Sequence, residues 1–209
     1  MPRILIADDH AVVRKGVVQI LREAFVSPYI GQASDADELL AKVLKEEWDV
    51  VITDISMPGR SGLEVLQQIG EYYPELPVLV LSMYPEDLYA IRAIRTGASG
   101  YLRKDSVPDE LVKAVHCLLL GKKHITPFLA EKLANSLEQE LNQQPHENLS
   151  DREFEVMRLL ASGVSVSDIA QRLFLRATTV STYRSRIMLK MNAKCNADLT
   201  RYAIENKLL

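Results

Sequence analysis

Three observations predict a parallel α/β domain followed by a smaller all-helical one. Over residues 3–121, five short apolar runs alternate with five helical patterns. From residue 149 onward, every periodic stretch is helical. Charge divides along the same line. Residues 149–209 hold 10 Lys or Arg and 6 Asp or Glu, which leaves 15 and 22 for residues 1–148 and a total of −3.

The elements follow in order. "RILIAD" (3–8) reads as a buried strand, and "AVVRKGVVQILREAF" (11–25) as a helix with Val12, Val13, Val17, Ile20, Leu21 and Phe25 at helical spacing. "YIGQAS" (29–34) is a weaker second strand, followed by the helix "DADELLAKVLKEE" (35–47). "DVVITD" (49–54) is the third strand. Val50, Val51, Ile52 and Thr53 are β-branched, and the run ends on a lone carboxylate, Asp54. "GLEVLQQIGEYY" (62–73) is the third helix, with Pro58 and Gly59 turning the chain sharply before it. "LPVLVLS" (76–82), "PEDLYAIRAIRTG" (85–97), "SGYLRK" (99–104) and "SVPDELVKAVHCLLLG" (106–121) complete the series. Five βα units demand a parallel sheet, covered on both faces and wound right-handedly. The expected strand order is the flavodoxin-like 2-1-3-4-5.

Residues 122–148 read as a linker. It contains a helix over about 127–141, capped by Thr126 with Pro127 first, and then the aperiodic "NQQPHEN". Leu129, Leu133, Leu137 and Leu141 form an apolar stripe suited to packing on a domain. Residues 149–209 predict four helices. Ser150 and Glu153 have capping-box spacing, and Gly163 stops the first helix. The second and third, "SVSDIAQRLF" and "RATTVSTYRSRIMLKM", are joined by a short turn, as in a helix-turn-helix. The last, "NADLTRYAIENKLL", presents Leu199, Tyr202, Ala203 and Ile204 as an expected dimer face.

Composition narrows the function. Cys117 and Cys195 lack metal-ligand or disulfide-framework spacing and read as reduced packing residues. No apolar run is long enough to span a bilayer, and the N-terminus lacks a signal core, so no membrane role and a cytoplasmic location are expected.

In a doubly wound sheet, ligands bind beyond the carboxyl ends of the strands. Strand one ends in Asp8-Asp9, strand three in Asp54, strand four in Ser82 and strand five in Lys104. Alone, each has an ordinary explanation: a helix cap for Asp9, a solvated loop residue for Ser82 or Lys104. Together they crowd carboxylates into one pocket, which a hard divalent ion such as Mg²⁺ would relieve. A carboxylate nucleophile, a metal, an ammonium and a hydroxyl are the parts of phosphoryl transfer onto Asp54.

These motifs, "ADD" (7–9), "DISMPGRSG" (54–62), "LS" (81–82) and "GYLRK" (100–104), make residues 1–121 resemble the receiver domain of bacterial two-component response regulators. The resemblance implies that Asp54 is the phosphoacceptor for a sensor histidine kinase. It implies Mg²⁺ on Asp9, Asp54 and the Ser56 backbone carbonyl, assisted by Asp8. Ser82 and Lys104 would contact the phosphoryl group, and Tyr101 would be an aromatic switch that turns inward. An aspartyl-phosphate phosphatase is the competing reading. Such enzymes usually carry a second Asp two residues after the nucleophile, where this chain has Ser56.

The third helix of the basic module places Val180, Ile187 and Met191 inward and turns Ser181, Thr182 and Ser185 outward. "LSDREFEVMRLLASG", "IAQRL", "TTVSTYRSRI" and "KM" resemble the LuxR-type helix-turn-helix, which places the chain in the NarL/FixJ class of response regulators. The "TVSTY" form resembles a BvgA/EvgA-like branch. That implies binding to double-stranded promoter DNA through Arg176, Thr179, Ser181, Thr182, Arg184, Ser185, Arg186 and Lys190. It also implies a homodimer when phosphorylated, and contact with RNA polymerase. Family members often carry Lys where Ser181 and Ser185 stand, so base contacts do not transfer directly.

Overall fold

The computed structural model describes residues 1–57, 60–138 and 144–209, in two compact units, Met1–Asn135 and Ser136–Leu209. Pro58, Gly59 and Leu141 lie outside the described residues.

In the first unit, β1 (Arg3–Ala7), β2 (Tyr29–Ala33), β3 (Val50–Asp54), β4 (Val78–Ser82) and β5 (Gly100–Arg103) form one parallel sheet of order β2-β1-β3-β4-β5. The expected α/β class and strand order are both found. Alternate residues on a strand face opposite sides. Ile4, Ile6, Val50, Ile52, Leu79, Leu81 and Leu102 pack against α1 (Ala11–Ala24) and α5 (Val107–Leu119). The helices α2 (Ala36–Lys45), α3 (Gly62–Tyr72) and α4 (Glu86–Thr96) follow β2, β3 and β4 and contact one another in sequence. Because both faces are covered, β3 and β4 are buried along their whole length, which their near-continuous apolar runs require.

Register brings the carboxyl ends level: Ala7 pairs with Thr53, Asp54 with Leu81, and Ser82 with Arg103. β5 stops one residue before Lys104, which opens a short 3-10 turn. Local chemistry fixes the helix starts. Asp35 accepts from the Glu38 amide at 2.8 Å, and Ser61 forms a capping box with Glu64. Thr126 caps α6 (Pro127–Glu138) by accepting from Leu129 N–H, and Leu129 is buried.

In the second unit a 3-10 turn, Pro145–Asn148, lies inside the stretch expected to be aperiodic. Four helices follow: α7 (Asp151–Ala161), α8 (Val166–Arg172), α9 (Ala177–Lys190) and α10 (Asn196–Glu205). Ser150 and Glu153 form the expected capping box on α7, and Gly163, at φ +81°, ends it in the left-handed region. Phe174 also takes a left-handed backbone (φ 53°) in the turn between α8 and α9. Phe154, Val156, Met157, Ile169, Val180, Ile187, Leu199 and Ala203 are buried.

The last two names carry a correction. α10 packs on α7, and Leu199 and Ala203 are fully buried within the unit, so they are core and cannot form a dimer face. Tyr202 is half-covered and bonds the His146 ring at 2.9 Å. Of the four residues expected to be exposed there, Ile204, 64% exposed, is the one that faces solvent.

Candidate functional site

β1, β3 and β5 deliver their charges to one place. Lys104 Nζ lies 2.8 Å from Asp8 Oδ2 and 2.7 Å from Asp54 Oδ2, with all three side chains at most 5% exposed. The Asp54 carboxylate also receives the Ser56 backbone N–H. Burial pushes the Asp54 pKa up to about 6, because desolvation outweighs the attraction of Lys104 and Asp8 adds repulsion. Burial acts to lower Lys104, but the two carboxylates outweigh it and hold the ammonium above its ordinary range.

Asp9 is not the cap of α1. The N-cap is His10, without a side-chain cap bond. Asp8 Oδ1 accepts the His10 amide at 2.8 Å. Asp9 Oδ1 is buried without a well-directed hydrogen bond, although His10 Nδ1 stands 2.7 Å away. Ligand atoms of Asp8, Asp9, His10 and Asp54 all lie within 4.8 Å of one another. Three carboxylates around one ammonium leave an excess of negative charge, and oxygen donors of this kind suit a hard divalent cation. The acidic pocket is thus compatible with a divalent metal.

Ser82 ends β4, fully buried, its Oγ accepting from Tyr84 N–H at 3.1 Å. Tyr101 is turned inward, buried, and its phenolic OH donates to Tyr84 O at 2.9 Å. Burial raises its pKa well above the usual phenol range, more than the Ser82 hydroxyl lowers it. The sequence-named pocket residues Asp8, Asp9, Asp54 and Lys104 are therefore gathered at one end of the sheet, with Ser82 and Tyr101 joined through Tyr84.

Three further residues were not anticipated. His10 joins the acidic cluster, and Arg14, one turn along α1, donates to the Asp8 carbonyl. Their signal was adjacency: both closely follow the paired aspartates. Gly62 is the third. A Cβ there would stand 1.9 Å from the Asp54 carbonyl oxygen, so only glycine lets α3 begin so close to the pocket.

On α9, Ser181, Thr182, Ser185 and Arg186 are exposed, as is Arg176 at the N-cap. Thr179 and Arg184 are half-buried, and Arg184 Nε donates to Asn196 Oδ1 at 3.0 Å. Lys190 Nζ is held by Glu153 Oε2 at 2.6 Å and Asn148 O at 3.2 Å.

Residues 4–116 match the response regulator receiver domain. Residues 147–203 match the luxR family of bacterial regulatory proteins. The chain is a response regulator. It is 37% identical to the oxygen regulatory protein NreC of Staphylococcus epidermidis over 215 aligned positions, 99% of each chain, and 36% identical to NreC of Staphylococcus carnosus. RcsB of Salmonella enterica serovar Typhimurium, bound to promoter rprA in the presence of the phosphomimetic BeF3-, matches with TM-score 0.63 at 28% identity, covering 97% of this chain and 98% of that one. A structure of two RcsB dimers bound to two parallel DNAs matches with TM-score 0.58 at 29% identity, covering 96% and 97%. A response regulator with a LuxR-type helix-turn-helix is a phosphorylation-regulated transcription factor and not a metabolic enzyme. Among the described residues no helix is long and apolar enough to cross a membrane.

Proposed function

We propose that Asp54 accepts a phosphoryl group from a histidine kinase and that the phosphorylated chain dimerises and binds promoter DNA. The observation that carries this is the pairing of one buried ammonium, Lys104, with Asp8 and Asp54 beside a third carboxylate. With its pKa near 6, Asp54 is mostly ionised at pH 7 and able to act as a nucleophile. One of its oxygens forms the bond to phosphorus as the donor's P–N bond breaks, and the imidazole leaves with the electron pair. Lys104 then turns from the carboxylate toward the phosphoryl oxygens, and Ser82 donates its hydroxyl to another. Asp9, Asp54 and the Ser56 carbonyl, assisted by Asp8, would hold Mg²⁺, which neutralises charge on the transferring group. Tyr101 follows Ser82 through their shared partner, the Tyr84 backbone. Chemistry of this kind is self-phosphorylation from a donor and slow self-dephosphorylation, without turnover of a metabolite.

Residues 1–121 act as receiver, 122–148 as linker and 149–209 as the DNA-binding domain of a cytoplasmic regulator that contacts RNA polymerase. Arg176 and Arg186 are placed for phosphate contacts, and Ser181, Thr182 and Ser185 for the major groove. The decisive experiment is acetyl-phosphate labelling with Mg²⁺, resolved on a phosphate-retarding gel. The wild type takes one label and Asp54→Asn takes none. Label retained on Asp54→Asn rules out the site.

A further inference from the structure

At about 100° per residue, Thr178, Thr182, Ser185 and Leu189 fall within an arc of about 60° on α9, along roughly 16 Å of helix. All four are exposed, and Leu189 is 83% exposed. This line is the middle of the face proposed above to enter the major groove. Its chemistry is unusual for that task. Thr182 Oγ1 donates to Thr178 O at 3.0 Å, and Ser185 Oγ donates to Ser181 O at 3.1 Å. Both hydroxyl protons are spent on the helix backbone. Two nearby cations are also drawn aside, Lys190 to Glu153 and Arg184 to Asn196, while Arg176 and Arg186 stay exposed. What remains at the C-terminal end of the line is a bare isobutyl group with no partner in its own unit to bury it.

We infer that Leu189 is a specificity-determining residue, which reads a thymine by apolar contact with its 5-methyl group. The major-groove edge of a T·A pair is the one that offers a methyl, and aliphatic side chains are its natural complement. Burial of Leu189 against that methyl removes apolar surface from water on both partners, whereas a cytosine or guanine at the position leaves a polar edge facing the isobutyl group. The inference rests on the DNA-binding reading and adds which side chain discriminates and what it recognises.

The test uses the full-length chain, phosphorylated with acetyl phosphate and Mg²⁺, and a duplex it selects from a random-sequence pool. Each thymine is then replaced, one at a time, by deoxyuridine, which removes only the methyl. Wild-type affinity falls roughly fourfold at one thymine per half-site. Leu189→Ala binds the parent duplex more weakly and shows no further loss at that thymine, while other positions behave as in wild type. Leu189→Met restores sensitivity. The high exposure of Leu189 leaves the fold intact in both variants, checked by unchanged helicity and melting. Equal loss in wild type and Leu189→Ala at every thymine, or unchanged affinity in Leu189→Ala, overturns the inference. Recovery of no duplex above the pool overturns the DNA-binding reading itself, and this inference with it.

Discussion

Among the described residues, each unit pairs buried carboxylates with cations. At the sheet end, Lys104 serves two carboxylates, Asp8 and Asp54, with Asp9 close by. In the helical unit the pairs are matched. Arg152 faces Glu155 at 2.6 Å, and Lys190 faces Glu153 at 2.6 Å. The carboxyls respond oppositely. Burial raises Asp54 to about 6 in spite of Lys104. Burial pushes Glu153 up too, but Lys190 and the Ser150 amide and hydroxyl outweigh it, and the group sits below its ordinary range. A carboxylate whose partners overcompensate its burial is closed and structural. One left undercompensated is poised for an incoming cation or phosphoryl group. The sign of the shift, more than the presence of an ion pair, separates the site from the scaffold.

The largest effect should come from breaking a matched pair. Arg152→Ala leaves Glu155 buried and also removes a bond to Leu173 O, so it should destabilise the helical unit by about 3–5 kcal/mol. Urea unfolding followed by far-ultraviolet circular dichroism measures it. The double variant Arg152→Met, Glu155→Leu should recover most of the loss, because the pair's desolvation penalty disappears with it. A double variant as unstable as the single one would mean that packing, not charge, holds Arg152.

The mismatched network should behave in the opposite sense. Between its unfolded pKa near 4 and its folded value near 6, Asp54 binds more protons folded than unfolded. Its contribution is therefore full below about pH 4 and lost as pH rises through 6. Asp54→Asn removes that loss, so in chelator the variant should gain on the order of 3 kcal/mol relative to wild type from pH 4 to pH 7. Trp48, the one tryptophan and part of the first unit, reports the transition by fluorescence. Millimolar Mg²⁺ should then restore wild-type stability at pH 7 by about 1–3 kcal/mol and leave Asp54→Asn nearly unmoved. Equal Mg²⁺ responses would break the claim that Asp54 is a ligand.

Much of this contrast was legible in sequence. Strand runs ending in Asp8, Asp54 and Ser82, with Lys104 just after another, placed the pocket because parallel strands align their ends. Helix starts at Thr126 and Ser150 followed from side chains that bond their own backbone within one turn. The misses are partnerships between residues distant in the chain. Periodicity marked one face of α10 as apolar, but nothing local says that α7 covers Leu199 and Ala203. Likewise, Lys190 reads as a free cation until Glu153, 37 residues earlier, closes on it. Gly62 looked like a helix start, and its need for no side chain appears only when the Asp54 carbonyl is in place.

The smallest expected effect is the sharpest check of the sign rule. Glu153→Gln keeps the shape of the capping box but removes the charge opposite Lys190, itself about four-tenths exposed. The loss should be about 1 kcal/mol at pH 7. Because the folded pKa lies below 4.5, the wild-type contribution is present above that value and fades as pH falls through the folded pKa. Wild type and Glu153→Gln should therefore converge in acid, as wild type and Asp54→Asn also do, whereas at pH 7 the two variants depart from wild type in opposite directions, Glu153→Gln less stable and Asp54→Asn more stable. Salt gives a second handle: because Lys190 is partly exposed, the Glu153 difference should shrink in 1 M NaCl. A Glu153→Gln difference that grows in acid would mean burial dominates at both sites, and the distinction between poised and closed carboxylates would fail.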